Sequence, residues 1–153
     1  MVVIPSTSKL TIKEFVEYLE KVERFAVTLG FTLDLSQYGN RDENPQDITR
    51  DGGKIYRLYD DGRIPKDNPF INSKNAKTAI YSFGHRNPQG MEINPFTGEI
   101  WSHEHGPRGG DEINIVKKGK NYGWPEASFG INYIGTKFTD KTSIKGMEDP
   151  LHF

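Results

Sequence analysis

The sequence predicts an antiparallel all-β body after about residue 50, preceded by a helix near residues 11 to 27. Apolar residues in the N-terminal part recur every three or four positions, which is typical of one face of a helix. After about residue 40, short apolar runs alternate with turns rich in Gly and Pro, as in a sheet of short strands. No helical pattern separates these runs, so neighbouring strands are expected to pair antiparallel.

The predicted helix lies in the segment TIKEFVEYLEKVERFAVTLG, residues 11–30. The apolar positions that share one helix face are Ile12, Phe15, Val16, Leu19, Val22 and Ala26. Thr11 followed by Glu14 forms a capping-box pattern, and Gly30 provides a stop signal. The segment therefore predicts an amphipathic helix.

Five short strands are predicted in the rest of the chain. They are residues 54–59, 79–83, 90–94, 99–103 and 112–118. The third and fourth are separated by the short loop PFTG, which contains Pro and Gly, so these two are expected to form a hairpin. Residues 60–78 contain no such run and are expected to form a long surface connection.

Composition excludes several classes of partner. The 153 residues suffice for one ordinary domain, and 20 Lys and Arg against 21 Asp and Glu give a net charge of −1. This balance provides no attraction to nucleic acid or an anionic membrane, so we expect neither as a partner. No apolar run approaches the roughly 18 residues of a membrane span, and the first ten residues do not read as a secretory signal. The absence of Cys excludes disulfides without fixing the compartment.

The segment GHRNPQG, residues 84–90, concentrates hydrogen-bonding side chains between two apolar runs. Arg86 offers a planar fork to anions, and Asn87 and Gln89 can each donate and accept. Glycines at both ends would let a flat ligand approach the backbone closely. The segment fits an anion-binding turn, although a simple polar turn would need the same residues.

A second dense segment, HEHGPRGGDEIN, spans residues 103–114. His103 and His105 would share a face on a strand, but a zinc site would need Asp111 or Glu112 as well and the spacing matches no familiar zinc signature. A hard cation such as calcium fits better, because carboxylates and the carbonyls of a Gly-Pro-x-Gly-Gly loop are oxygen donors. The alternative without a ligand is a glycine-rich hairpin loop with solvated charges.

A third segment, KKGKNYGWPE, spans residues 117–126 and mixes three lysines with aromatic residues. A nucleic-acid patch is one interpretation, and a solvated turn is the simpler one in a neutral chain. Tyr122 and Trp124 are expected to pack against the sheet. The strand and turn between Glu112 and Tyr122 form a hairpin long enough to bring these two residues side by side.

These segments, in this order, resemble the glucose/sorbosone dehydrogenase family, whose soluble members use pyrroloquinoline quinone (PQQ) on a six-bladed β-propeller. The resemblance is strongest to the aldose sugar dehydrogenase branch. It is carried by GHRNPQG, NPFTGEIW, EHGPRGGDEIN, NYGWP and GINYIGT, with PQD at 45–47 and DGRIPKDNPF at 61–70. It runs from about residue 39, so we assign residues 39–153 to a fragment of the propeller and residues 1–38 to a divergent segment with the predicted helix.

The resemblance implies two sets of site residues. Cofactor contacts would come from Arg86, Asn87, Gly106, Pro107, Tyr133 and Thr136. Calcium ligands would come from the carbonyls of Gly106 and Pro107, beside the cofactor, and from a further site at Glu112 and Tyr122. A planar tricarboxylate ortho-quinone needs cationic partners and a Lewis acid at its reactive carbonyl. We expect the Glu112 carboxylate and the Tyr122 backbone carbonyl to lie about 2.3–2.6 Å from one bound calcium.

The resemblance also implies an activity. The intact enzyme would take hydride from the anomeric carbon of an aldose, pass it to the quinone and then to an external electron acceptor, in the periplasm or outside the cell. The family's catalytic histidine lies on an earlier blade that this sequence does not contain, so no base is assigned, and His85 lies in another motif. The match spans about two to three blades, so we expect a fragment that is inactive alone. The alternative is a non-catalytic calcium-binding propeller module for sugar or protein.

Overall fold

The computed structural model describes residues 24–27 and 43–153, which contain two three-stranded antiparallel sheets. The first has the order β1 (Arg24–Val27), β2 (Lys54–Leu58) and β3 (Ile80–Phe83). The second has the order β4 (Pro88–Ile93), β5 (Ile100–Glu104) and β6 (Glu112–Val116). These described residues contain no helix, which confirms the predicted all-β class. None of them therefore forms a helix long and apolar enough to cross a membrane.

The helix predicted near residues 11 to 27 is wrong at its C-terminal end. Residues 24–27 form β1, which pairs antiparallel with β2 along its whole length. Pairing with a neighbouring strand outweighs the local helical periodicity, since propensity is only a weak prior against tertiary context. Residues 11–23 lie outside the described residues, so that part of the prediction stays untested.

The five strands predicted after residue 50 are confirmed, with ends that differ by one or two residues. β4 and β5 form the predicted hairpin, in which Asn94 N donates to Glu99 O at 2.8 Å beside the tip. A bulge lies between Pro88 and Gly90, and Pro88 is the first residue of an edge strand, where proline removes no needed donor. Residues 60–78 form only turns and irregular chain, as expected.

The interior of the described chain is unusually polar. Its buried hydrophobic residues are Ile55, Tyr56, Ile80, Val116, Tyr122 and Trp124. Its buried polar or charged residues are Asn44, Lys54, Arg57, Asn68, Ser82, His85, Ser102, Glu104, Asn114 and Ser128. Tyr122 and Trp124 are thus inside, as expected for large aromatic residues. Buried polar groups need partners, so hydrogen bonds determine much of the interior arrangement.

The turn between β3 and β4, residues 84–87, is fixed by backbone hydrogen bonds from two sides. On one side Gly84 N donates to Pro45 O at 3.0 Å, and His85 N donates to Gly53 O at 3.1 Å. On the other side Trp124 N donates to Gly84 O at 2.8 Å. The turn therefore joins the loop before β2 to the segment after β6.

Candidate functional site

Glu104, the last residue of β5, lies at the centre of the candidate site and is 4% exposed. Its Oε2 accepts from Arg86 N at 2.6 Å and Asn87 N at 3.1 Å, and its Oε1 lies 3.0 Å from His85 Nδ1 and 2.9 Å from Asn114 Nδ2. Burial alone would raise the pKa of Glu104, but His85 and these hydrogen bonds outweigh burial and lower it. The site is therefore built around a buried carboxylate that is ionised at neutral pH.

His85 is fully buried and serves the same network. Its Nε2 lies 2.9 Å from Ser82 Oγ, and its ring stacks on Tyr122 with the centroids 4.4 Å apart. Ser82, His85 and Glu104 thus form a relay like that of a hydrolase. Ser82 and His85 have no exposed surface, so no substrate can reach them. The relay has a structural role, and His85 is not placed to act as a base on a substrate.

Arg86 projects from the turn toward the glycine-rich loop. Its Nη1 donates to His105 O at 2.8 Å and to Gly106 O at 2.7 Å, and its guanidinium lies 5.3 Å from the centre of the Trp124 ring. Asn87 is tied to the same loop, because its carbonyl accepts from His105 N at 3.1 Å. The structure therefore brings together three of the predicted cofactor residues, Arg86, Asn87 and Gly106.

The loop at residues 106–110 is too tight for any side chain at its start. A Cβ on Gly106 would lie 2.2 Å from Gly109 O and 2.3 Å from Gly110 O, so only glycine fits. Asp111 stabilises this curl: its Oδ1 accepts from Gly106 N at 2.9 Å and its Oδ2 lies 3.2 Å from His105 Nδ1. The hydrogen bond from Gly106 and then that from His105 lower the pKa of Asp111.

Glu112 and Tyr122, the predicted second calcium site, line one small, partly open cavity together with Arg86 and Gly106. Burial and then the charge of Glu104 raise the pKa of Glu112 to about 7, against the hydrogen bond from Asn114. That bond, at 3.4 Å, is the single side-chain hydrogen bond to Glu112 from residues 43–153. Two neighbouring carboxylates, of which Glu112 has no cationic partner among residues 43–153, favour a bound cation.

The hydroxyl of Tyr122 is already engaged. It donates to Ile115 O at 2.6 Å and accepts from Lys117 N at 2.8 Å, which closes the turn after β6. The tyrosine can therefore offer a cation its backbone carbonyl rather than its side chain. This arrangement agrees with the ligand role expected for Tyr122, whose distance from a calcium ion stays a prediction.

Four of the predicted site residues do not line this cavity: Asn87, Pro107, Tyr133 and Thr136. Tyr133 is 68% exposed on a loop that closes on itself through Asn132 N and Thr136 O, 2.8 Å apart. This loop is joined to the glycine-rich loop by the paired backbones of Arg108 and Ile131. The structure thus places the two loops side by side, with Tyr133 and Thr136 beyond the cavity.

Within the part of the chain that the structure describes, no group of three or more His, Cys, Asp or Glu side chains is arranged to hold a metal. His103 and His105 have different surroundings, because the His103 ring lies against Gly90 whereas His105 pairs with Asp111. The zinc site considered from the sequence is therefore not formed by these side chains. A calcium site here would depend on backbone carbonyls.

Sequence reasoning missed Glu104, Asn114 and Gln46. Glu104 and Asn114 stood within a segment already singled out, and the two-residue period of β5 places Glu104 on the same buried face as Ser102. Gln46 stood within PQD at 45–47, which was quoted for the resemblance, but no role was assigned to its side chain. Its amide donates to Trp124 O at 2.7 Å and exchanges hydrogen bonds with Asn121 at 3.1 and 2.7 Å, across 75 residues of sequence.

Comparison with known proteins gives a consistent result. The aldose sugar dehydrogenase YliI of Escherichia coli is 50% identical over 119 residues, which cover 75% of this chain and 32% of that protein. The crystal structure of the soluble aldose sugar dehydrogenase of E. coli in its apo form matches with a TM-score of 0.70 and 51% identity, covering 72% of this chain and 33% of that one. The PQQ-bound aldose sugar dehydrogenase of Streptomyces coelicolor matches with a TM-score of 0.54 and 35% identity, over 71% and 28% of the two chains.

This chain spans about a third of the length of the first two of these relatives. Its two sheets are part of a β-propeller, as the solved structures that it matches indicate. The model of the Glucose / Sorbosone dehydrogenase family matches residues 22–153, most of the chain. The chain therefore belongs to the glucose/sorbosone dehydrogenase family.

Proposed function

We propose that this chain supplies part of the cofactor and calcium site of a PQQ-dependent aldose dehydrogenase. The whole enzyme would oxidise the anomeric carbon of a sugar and deliver the electrons to an external acceptor, in the periplasm or outside the cell. The names of the relatives support a sugar substrate and, for the S. coelicolor protein, PQQ. The observation that carries the proposal is the placement of Arg86 against the carbonyl of Gly106.

Arg86 is prepared to bind a flat anion. One nitrogen, Nη1, is used by the carbonyls of His105 and Gly106, and the ring of Trp124 supports the guanidinium. Its Nε and Nη2 make no hydrogen bond to residues 43–153, so part of its fork can still meet a carboxylate or a quinone oxygen. PQQ carries both kinds of oxygen, so the side chain fits it.

The donors that the resemblance assigns to calcium also suit that ion. The tight curl at Gly106 leaves no room for a side chain there. The Gly106 carbonyl accepts from Arg86 and has a second lone pair that a cation could take. Glu112 adds a carboxylate that lacks a cationic partner among residues 43–153. When bound, PQQ would supply the two-electron acceptor and calcium a Lewis acid.

The residues of this chain would then bind and orient the cofactor. Arg86 and Asn87 would hold its polar edge, and Glu112 with the Tyr122 carbonyl would hold the second cation. Tyr133 and Thr136, on the neighbouring loop, would contact the cofactor from beyond the cavity. Because Tyr133 is largely exposed, it has surface available for such a contact.

The proposal is tested by titrating the chain with PQQ in excess calcium and measuring the affinity for PQQ from the change in absorbance. We expect saturable binding that Arg86→Gln weakens at least about tenfold, since a charge-assisted contact to an anion is lost. Arg63→Gln is the matched control, because Arg63 is exposed and its guanidinium contacts Asp61 and the Tyr59 ring, both outside the candidate site. Equal affinities for the parent and Arg86→Gln would contradict the proposal. Calcium binding without PQQ binding would favour the non-catalytic module instead.

A further inference from the structure

We propose that Glu104 is a positioning residue, which holds Arg86 and Asn87 in the conformation that binds the cofactor, and that Asn114 connects this turn to the calcium site at Glu112. The inference rests on the proposed function in one respect, namely that Arg86 and Asn87 bind PQQ. The contacts that carry it are independent of any ligand.

The turn at residues 84–87 needs an acceptor that the sheets do not provide. It connects β3 of one sheet to β4 of the other, and β4 begins only at Pro88. The N–H groups of Arg86 and Asn87 therefore precede the strand ladder and would stay unpaired in a half-buried place, at a substantial energetic penalty. Glu104 accepts from both through a single oxygen, Oε2.

The partners of Glu104 require a carboxylate. Donors converge on both of its oxygens: two backbone N–H groups on Oε2, and His85 Nδ1 and Asn114 Nδ2 on Oε1. A glutamine of the same shape has one acceptor oxygen and one NH₂ group, so it would turn a donor toward two of these four donors. Glu104→Gln is therefore a nearly isosteric change that disturbs the turn.

Asn114 bridges the two candidate ligand sites. Its Nδ2 lies 2.9 Å from Glu104 Oε1 and 3.4 Å from Glu112 Oε2, and it is fully buried on β6 beside them. A cation bound by Glu112 would compete for that carboxylate and leave the amide of Asn114 to Glu104 alone. Calcium at Glu112 is thus expected to strengthen the hold on the turn and, through it, on PQQ.

Glu104 borders the cavity, but both of its oxygens already accept from donors of this chain. It is 4% exposed, and its neighbours His85 and Ser82 have no exposed surface. We therefore expect its effect on cofactor binding to pass through the groups that it holds, Arg86, Asn87 and Asn114. This distinguishes a positioning residue from a catalytic one, and a test must separate it from a purely structural role.

The test compares Glu104→Gln with Glu92→Gln, the same substitution at an exposed position of β4. PQQ affinity in calcium and residue-specific amide hydrogen exchange are measured for both. For Glu104→Gln we expect about tenfold weaker PQQ binding and faster exchange at the amides of Arg86 and Asn87, with β5 and β6 amides unchanged. Glu92→Gln should match the parent in all readouts.

Parental PQQ affinity in a folded Glu104→Gln variant would overturn the inference. Uniform acceleration of all sheet amides would also overturn it, because this would show a general loss of stability. If the parent itself does not bind PQQ, the proposed function fails, while exchange at Arg86 and Asn87 still decides whether Glu104 holds the turn.

The link through Asn114 is tested with Asn114→Ala, which also serves if Glu104→Gln does not fold. The change removes one of the donors to Glu104 and the bridge to Glu112. We expect PQQ binding to Asn114→Ala to be about threefold weaker than to the parent. Calcium at the Glu112 site should no longer improve this binding. Glu112→Gln, which weakens calcium binding at that site alone, shows how much of the calcium effect comes from it. Unaltered PQQ affinity with parental calcium dependence would contradict the link.

Discussion

Two buried charges of opposite sign, Lys54 and Glu104, organise two neighbouring parts of the molecule. The Nζ of Lys54 donates to the carbonyls of Asn44, Pro45 and Gly52 at 2.5, 3.1 and 2.8 Å. Glu104 accepts instead from backbone and side-chain donors of the turn after β3 and of β6. Each charge binds backbone groups of a loop or turn that lie outside the strand ladders.

The difference between them lies in what they hold. Lys54 binds carbonyls of the loop before β2 and so fixes that loop. The loop in turn accepts hydrogen bonds from the turn at residues 84–87 through Pro45 O and Gly53 O. Glu104 gathers N–H groups and shapes the turn that carries Arg86 directly. The comparison indicates that Lys54 supports the candidate site from a distance, whereas Glu104 determines its geometry.

The largest loss of stability is expected from removing the Glu104 carboxylate. Glu104→Leu would leave buried donors of His85, Asn114 and the turn without a partner, so the free energy of unfolding should fall by about 4 kcal/mol. Urea unfolding followed by fluorescence measures this change. A loss below about 1 kcal/mol would show that the turn does not depend on the carboxylate.

A smaller loss is expected at Lys54. In Lys54→Met the carbonyls of Asn44 and Pro45 keep backbone donors, from Asp47 N at 3.1 Å and Gly84 N at 3.0 Å. Removal of the buried charge also recovers its desolvation cost, so we expect a loss of about 2 kcal/mol in the same urea assay. A loss larger than that of Glu104→Leu would reverse the comparison.

The buried Lys54 should also make the stability of the fold depend on pH. Burial lowers its pKa to about 8, below the ordinary lysine value of 10.5. Between these values the unfolded chain binds more protons than the folded one, so stability should rise as pH increases from 8 to 10.5. Lys54→Met should remove this part of the rise. An identical pH profile for parent and variant would contradict the lowered pKa.

The strands could be predicted from the sequence because each is a short run containing apolar residues and bounded by turn residues. Strand β1 could not be predicted, because its residues continue a helical pattern. Their conformation is decided by pairing with β2. Arg86 and Gly106 stand in dense polar motifs that resemble those of the family. Lys54 and Glu104 were not recognised, because a charged residue in a strand normally lies on the exposed face, and their partners come from distant turns.

The next prediction concerns calcium binding at Glu112, whose pKa the charge of Glu104 helps to raise. With the pKa of Glu112 near 7, protons compete with calcium below that pH. Calcium affinity at this site should therefore weaken about tenfold between pH 8 and pH 6, as measured by isothermal titration calorimetry. Glu112→Gln should bind more weakly and independently of pH over this range. Parental affinity in Glu112→Gln would contradict the site.

The smallest effect is expected at Tyr122. Tyr122→Phe removes the hydroxyl that bridges Ile115 O and Lys117 N, so stability should fall by about 1 kcal/mol. Calcium affinity should change less than about twofold, because the backbone carbonyl is the expected ligand. A large loss of calcium affinity at unchanged stability would instead assign the hydroxyl to the metal.

A crystal structure of the chain with PQQ and calcium tests the central claim most directly. We predict cofactor density against Arg86 and Asn87, one calcium about 2.3–2.6 Å from the carbonyls of Gly106 and Pro107, and a second between the Glu112 carboxylate and the Tyr122 carbonyl. Glu104 should keep its hydrogen bonds to the turn. Cofactor bound away from this turn, or calcium at neither place, would contradict the account.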